Sequence, residues 1–313
     1  MSKLLKKHAG LWEGESVALD PDPADASLFG SLRFTDASRL TRAGRGDLET
    51  LATPEREFDV AVLYLPKGKR RQALMTARAA QLAPKVVVIG SKTQGIKSAR
   101  KRLAELGPVI AVEHGAHQQM IVVKPELRTP VDLDAWEVRH TIDEMTLVSL
   151  PGVFSEGRVD DGTRLLLEHV KVEGRVLDLG CGCGVIGAAL AKRGCTVTCS
   201  DVDALAVEAA RRTFAANELS RESRFVHADR YSGLEGDARF DAIVSNPPFH
   251  EGVATQYDTT PDLIRGARRF LRAGGALWLV YNRFLPWADV LAEDFAEVEI
   301  VADDGRYCVA RAR

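Results

Sequence analysis

Apolar residues fall in two rhythms along this chain, short continuous runs and longer stretches with helical spacing, and in the second half the two alternate. Residues 175–179 (Arg-Val-Leu-Asp-Leu) form a short apolar run that predicts a buried strand. A cluster of glycines follows, and residues 185–192, rich in alanine and leucine, predict a helix. Further strands are predicted over 195–200, 224–227, 240–245 and 276–281, with helices over 163–170, 203–217 and 261–271. Asp203 stands at the head of its helix and is the expected N-cap. Strands that alternate with helices predict an α/β fold built on a parallel, doubly wound sheet. The last two runs, 298–301 and 306–310, flank the turn sequence Asp303-Asp304-Gly305 and predict a hairpin at the sheet edge.

The first half repeats part of this pattern. Phe58-Asp59-Val60-Ala61-Val62-Leu63-Tyr64-Leu65-Pro66-Lys67 aligns with Phe240-Asp241-Ala242-Ile243-Val244-Ser245-Asn246-Pro247-Pro248-Phe249. In both copies a helical stretch then leads to another apolar strand, 86–89 in one and 276–280 in the other. The repeat predicts duplication of one α/β domain. The first copy has Tyr64 and Leu65 where the second has Asn246 and Pro247, and no glycine-rich turn precedes it, so chemistry is expected in the second copy. Turn-forming residues between Pro125 and Pro130, and again at Leu150-Pro151-Gly152, place the boundary within 125–150 and predict domains over 1–140 and 145–313.

A length of 313 residues accommodates two such domains. With 45% hydrophobic and 27% charged residues the chain can bury cores, which excludes disorder throughout, collagen and fibre. No apolar run approaches the roughly 20 residues that span a bilayer. The basic start (Lys3, Lys6, Lys7) has no apolar stretch behind it to make a signal peptide, so the expectation is a soluble cytoplasmic protein with no membrane partner. The net charge of −2 taken whole argues against coating nucleic acid by bulk attraction. That average hides a segregation, because residues 1–140 hold 22 basic against 17 acidic residues and the remainder 20 against 27. Residues 60–102 carry eleven basic residues (Lys67, Lys69, Arg70, Arg71, Arg78, Lys85, Lys92, Lys97, Arg100, Lys101, Arg102) and no acidic one, a candidate phosphate-facing surface. Four of the five cysteines, Cys181, Cys183, Cys195 and Cys199, cluster in spacings that fit none of the usual zinc patterns, so they are read as buried thiols and no metal is expected.

The segment Asp178-Leu179-Gly180-Cys181-Gly182-Cys183-Gly184 lies between a predicted strand and a predicted helix. Glycines there let the backbone turn sharply and approach a ligand without Cβ interference, and the helix N-terminus behind them is electropositive. A dinucleotide fingerprint would place its third glycine at Val185, whereas here it stands at Gly184. The spacing instead resembles motif I of class I S-adenosylmethionine-dependent methyltransferases. Asp201, at the end of the second strand, stands where a carboxylate accepts bonds from both ribose hydroxyls of an adenosine. Asp229 closes the third predicted strand, from which this superfamily often reaches the adenine amino group.

The fourth strand ends in Ser245-Asn246-Pro247-Pro248-Phe249-His250, which resembles the N-P-P-[FY] signature of methyltransferases acting on planar nitrogen. Such a nitrogen is a poor nucleophile because its lone pair is delocalised. The Asn246 side-chain oxygen and the Pro247 carbonyl can accept its two N–H bonds and aim the lone pair at a methyl group. The two prolines stiffen the turn, and Phe249 offers a face on which an extruded base can stack. No strong base is required, so His250 is read as a neutral neighbour.

Taken with Leu150-Pro151-Gly152-Val153-Phe154-Ser155, Leu263-Ile264-Arg265-Gly266 and Asn282-Arg283-Phe284-Leu285-Pro286, these motifs resemble the bacterial ribosomal RNA guanine-N2 methyltransferases of the RsmC and RlmG type over nearly all of 145–313. In the first half, Leu65-Pro66-Lys67 and residues 89–99 resemble that family's degenerate, cofactor-free methyltransferase domain, while residues 1–57 match little of it. The resemblance implies two tandem Rossmann-like class I methyltransferase folds, each a mostly parallel doubly wound sheet, with an antiparallel C-terminal hairpin and with the first copy degenerate. It implies S-adenosylmethionine as cofactor, held by Asp178, Gly180, Gly182, Gly184, Asp201 and Asp229, although the family varies at the last position. Asn246, Pro247, Pro248 and Phe249 are then the catalytic residues, with Gly152 to Ser155 near the cofactor. The implied substrate is a guanine of small-subunit (16S) ribosomal RNA, and the implied partner is that RNA or the ribosomal subunit, bound by a monomer. Large-subunit RNA, adenine N6 and protein glutamine are the alternative substrates, and an RNA-binding assembly factor with a vestigial site is the non-enzymatic alternative. The first domain would then assist folding or recognise RNA, and neutralising Arg70, Arg71, Lys101 and Arg102 is expected to weaken RNA binding.

Overall fold

The central strands that the apolar runs predict, 60–64, 86–91, 175–179 and 240–245, are buried at nearly every position, as a sheet covered by helices on both faces requires. The computed structural model describes residues 2–11, 13–14, 16–19, 58–154, 158–247 and 259–313. They divide between Glu137 and Val138 into two units.

The N-terminal unit runs through α1 (Ser2–Lys7), β1 (Ser16–Leu19), β2 (Val60–Tyr64), α2 (Lys69–Leu82), β3 (Val86–Ser91), α3 (Ile96–Leu106), β4 (Val109–His114) and β5 (Gln118–Val123). Its sheet has the order β1-β2-β3-β5-β4, with β1, β2 and β3 parallel and β5 antiparallel to both of its neighbours. The core on one side gathers Val60, Val62, Tyr64, Val87, Ile89, Met120 and Val122 under Leu4 and Leu5 of α1.

The C-terminal unit begins with a hairpin, β6 (Val138–Ile142) and β7 (Met145–Ser149), turned through Asp143 and Glu144 at positive φ. It continues with α4 (Asp161–His169), β8 (Arg175–Leu179), α5 (Val185–Lys192), β9 (Thr196–Asp201), α6 (Ala204–Ala216), β10 (Arg224–His227), β11 (Phe240–Ser245), α7 (Thr259–Phe270), β12 (Leu271–Asn282), α8 (Trp287–Asp294), β13 (Val298–Asp303) and β14 (Tyr307–Ala312). The seven strands lie in the order β10-β9-β8-β11-β12-β14-β13. The first five are parallel, and β14 enters antiparallel between β12 and β13, so the expected C-terminal hairpin closes the edge. Asp203 caps α6 by accepting from the Leu205 N–H, as expected. The hairpin ahead of the sheet is fastened to α6, where Asn217 accepts from the Thr146 N–H and donates to its carbonyl while Thr213 Oγ accepts from the Val148 N–H.

The sequence repeat is a repeat of sheet position. Reading outward from β8, the C-terminal unit runs β8-β11-β12-β14-β13 with the same strand directions as β1-β2-β3-β5-β4 in the N-terminal one. The aligned segments 58–67 and 240–249 thus build β2 and β11, and the strands that follow them build β3 and β12. β10 ends at His227, as predicted, so Asp229 does not close that strand but stands two residues beyond it.

Candidate active site

Register places the predicted site residues together. β8 and β11 pair in parallel with Val244 opposite Asp178, and the buried Ser245 Oγ donates to the Leu179 carbonyl at 2.7 Å. Gly180 and Asn246, the first residues past each strand, therefore emerge side by side. On the other flank Leu179 pairs with Ser200, which brings Asp201 to the same level. This is the carboxyl edge of the sheet, where open α/β folds bind ligands.

The three glycines of the turn have different work. All have positive φ. At Gly180 a Cβ would meet nothing within 4 Å, so that face is open to a ligand. At Gly182 it would approach Phe154, and the Gly182 N–H donates to Asp201 Oδ2 at 2.9 Å. At Gly184 it would come within 3.0 Å of Ala210 on α6, so this glycine serves helix packing as well as the turn into α5.

Asp178 is fully buried; its Oδ2 accepts from the Gly187 N–H of α5 at 2.8 Å, while Oδ1 is buried with no partner among the described residues. Burial, only partly offset by the Gly187 bond, pushes its carboxyl up to about 7, and the charge of Asp201 adds to the shift. Asp201 is raised to about 6, again chiefly by burial, against the backbone N–H groups of Asp203 and Gly182 that favour its charged form. Asp229 lies at the same edge, with its carboxylate 3.7 Å from Arg230.

Pro247 is buried and Asn246 half-buried. The Asn246 Nδ2 donates to Thr163 Oγ at 2.8 Å and approaches both oxygens of Asp160 at 3.3 Å. Sequence reasoning, which starts that helix at Thr163, singles out neither Asp160 nor Thr163; the Asp160-Asp161-Gly162-Thr163 capping pattern is the signal that could have found them. Phe154 is exposed and lies against Gly182, consistent with a place for its segment beside the glycine turn. Pro248, Phe249, His250 and Ser155 lie outside the described residues. All five cysteines are buried free thiols, and the Cys181 Sγ donates to the Gly182 carbonyl at 3.8 Å.

In the N-terminal copy the corresponding edge is filled by its own side chains. Leu65, aligned with Pro247, accepts from Gln94 Nε2 at 2.7 Å through its carbonyl, and the Pro66 carbonyl accepts from Gln72 Nε2 at 2.9 Å.

The basic run is not one continuous face. Arg71 and Arg78 are buried, and Arg78 donates to Gln81 Oε1 while burial lowers its guanidinium to about 10. Arg70 donates to the Trp136 carbonyl and Arg102 to Gln72 Oε1, so three of the four arginines and lysines expected to matter most for RNA hold the unit's own structure. The exposed cations are Lys67, Lys69, Lys92, Lys97, Arg100 and Lys101, on the loops that leave β2 and β3 and on the helices that follow them.

A parallel sheet that ends in an inserted antiparallel strand, with a glycine turn after β8 and an acidic residue at the end of β9, defines the class I methyltransferase fold. Family models agree: "Methyltransferase small domain" matches residues 144–311 and "Methyltransferase small domain N-terminal" matches 2–140. Ribosomal RNA small subunit methyltransferase C of Salmonella newport is 38% identical over 274 residues, covering 85% of this chain and 79% of its own. Its counterpart in Haemophilus influenzae is 33% identical over 332 residues, covering 98% and 97%. Among solved structures, the T. thermophilus 16S rRNA N2 guanine methyltransferase (RsmC), in complex with AdoMet and guanosine, superposes with a TM-score of 0.83 at 28% identity, covering 99% of this chain and 91% of its own. The chain belongs to the methyltransferase small domain family, in its ribosomal RNA small subunit methyltransferase C branch.

Proposed function

We propose that this chain transfers a methyl group from S-adenosylmethionine to the exocyclic N2 of a guanine in small-subunit ribosomal RNA. The observation that carries the reading is the β8–β11 register, which sets an amine-holding Asn246 and Pro247 beside an open glycine turn. The residues present fit the cofactor: Gly180 leaves room where a Cβ would stand, Asp178 Oδ1 is a buried acceptor with no donor among the described residues, and Asp201 retains lone pairs for ribose hydroxyls. Gly182 and Gly184 shape the turn, and Asp229 is the candidate for the adenine end.

When bound, S-adenosylmethionine supplies a methyl group already activated by its sulfonium. Asn246 Oδ1 and the Pro247 carbonyl hold the two N–H bonds of the guanine amine, which aims its lone pair at that carbon. Pro248 and Phe249 complete the signature, one by stiffening the turn and the other by stacking the base. Once methylated, N2 loses a proton to water, and no side chain has to act as a strong base. The N-terminal unit, a degenerate copy over roughly 1–140, contributes RNA affinity through its exposed Lys67, Lys69, Lys92, Lys97, Arg100 and Lys101. The enzyme works as a cytoplasmic monomer on the RNA or the ribosomal subunit; among the described residues no helix is long and apolar enough to cross a membrane.

Asn246→Ala tests the reading. Calorimetry is expected to give unchanged S-adenosylmethionine affinity while methyl transfer to 16S RNA falls by at least a hundredfold; wild-type turnover in this variant would remove Asn246 from the chemistry.

A further inference from the structure

An asparagine amide presents a donor on one side and an acceptor on the other, so only one of its two orientations can receive the N–H bonds of a substrate amine. Thr163 and Asp160, at the start of α4, face the Asn246 amide at 2.8 Å and 3.3 Å. A carboxylate only accepts. The Thr163 hydroxyl has a single proton and gives it to Asp160 Oδ2, so towards Asn246 it offers only lone pairs. Two acceptors therefore meet the amide, its nitrogen turns to them with both protons, and Oδ1 remains for the substrate. The polarity of a carboxylate is relayed through one hydroxyl to the amide.

The relay is held rigidly. Asp160 Oδ1 also caps α4 by accepting from the Thr163 N–H at 3.2 Å. Gly162 between them packs beside Tyr307 of β14, where a Cβ would come within 3.1 Å of the ring. We propose that Asp160 and Thr163 are positioning residues for methyl transfer, which lock the Asn246 amide with its oxygen towards the amine. This rests on the reading of Asn246 given above.

Asp160→Asn separates the lock from the cap, because asparagine caps helices as well as aspartate but can turn a donor towards Asn246. On the full chain, kcat for 16S RNA methylation is expected to fall at least tenfold, with the S-adenosylmethionine Kd and Tm close to wild type. Thr163→Val keeps the backbone N–H of the cap and is expected to show the same split. A rescue adds the decisive readout. Asn246→Asp accepts on every side and needs no orienting, but its charge opposes that of Asp160. The double variant Asp160→Asn/Asn246→Asp is therefore expected to turn over at least tenfold faster than Asn246→Asp alone. Wild-type kcat in both Asp160→Asn and Thr163→Val, or a double variant no faster than Asn246→Asp, would overturn the lock. Asn246→Ala tells the two failures apart: if it is inactive while Asp160→Asn is not, only the lock falls, whereas if it too keeps wild-type turnover the reading of Asn246 falls with it.

Discussion

The turn between β8 and α5 asks different things of neighbouring glycines, and single methyl groups can separate them. At Gly184 an alanine would meet both left-handed backbone strain at φ 82° and Ala210 at 3.0 Å. Gly184→Ala is expected to lower folding stability by about 1–2 kcal/mol or more in urea denaturation. At Gly180 the methyl would meet no protein atom, so Gly180→Ala carries only the backbone strain and is expected to weaken S-adenosylmethionine binding out of proportion to its stability loss. Equal effects of the two substitutions on stability and on binding would refute this division. Asp178 gives a pH signature. Burial raises its carboxyl from 3.8 to about 7, so between those values the native chain keeps a proton that the unfolded chain has released. Its contribution to stability is therefore present below about pH 4 and is lost as pH rises through about 7. Asp178→Asn should remove that loss: denaturation midpoints at pH 5 and pH 8 are expected to fall further apart in the wild type than in the variant, and an identical separation would show that Asp178 does not titrate in this window. The glycine spacing and both aspartates were legible in the sequence. The unpartnered Asp178 oxygen and the packing of Gly184 on Ala210 were not, because they depend on which atoms the fold brings across from α5 and α6.

Much of the secondary structure in the second half is legible in the sequence because the central strands β8, β9 and β11 are compact apolar runs. β8, α5, β10 and β11 match their predicted limits residue for residue. The β6–β7 hairpin escaped because β6 (Val-Arg-His-Thr-Ile) is partly exposed and its turn, Asp143-Glu144, uses positive φ without glycine. α8 escaped because eight residues behind a proline give helical periodicity little length to declare itself. In the N-terminal unit, Gln72 and Gln94 satisfy backbone carbonyls at the edge where β2 and β3 end. Gln94 donates to the Leu65 carbonyl and accepts from the Ser91 N–H at 2.7 Å, so Gln94→Ala strands two backbone groups. The expected loss is about 1–3 kcal/mol, read by hydrogen exchange confined to β2, β3 and their loops, while methylation chemistry in the other unit is untouched. Uniform exchange across both units would contradict the assignment of these bonds to one of them.

At the scale of the whole molecule, charge divides as the chain does, with the excess of basic residues in the first half and of acidic ones in the second. Counting along the sequence located the basic unit but not its face, since α2 buries Arg71 and Arg78 in its own packing. Neutralising Lys92, Lys97, Arg100 and Lys101 is expected to weaken RNA binding and to flatten the salt dependence, by up to about 0.7 in log–log slope for each single-strand phosphate that is no longer neutralised, while the S-adenosylmethionine Kd holds. An unchanged slope would move RNA recognition off this unit. The sequence also carried the fold duplication, because two aligned strands proved to occupy the same places in two sheets. The most direct test of the central claim is transfer of isotopically labelled methyl from S-adenosylmethionine into RNA and protein of cells lacking this chain, followed by nucleoside mass spectrometry. Label is expected in N2-methylguanine of 16S ribosomal RNA, at a position left unmodified in those cells. Label in adenine, in large-subunit RNA or in protein glutamine, or no transfer at all, would contradict it.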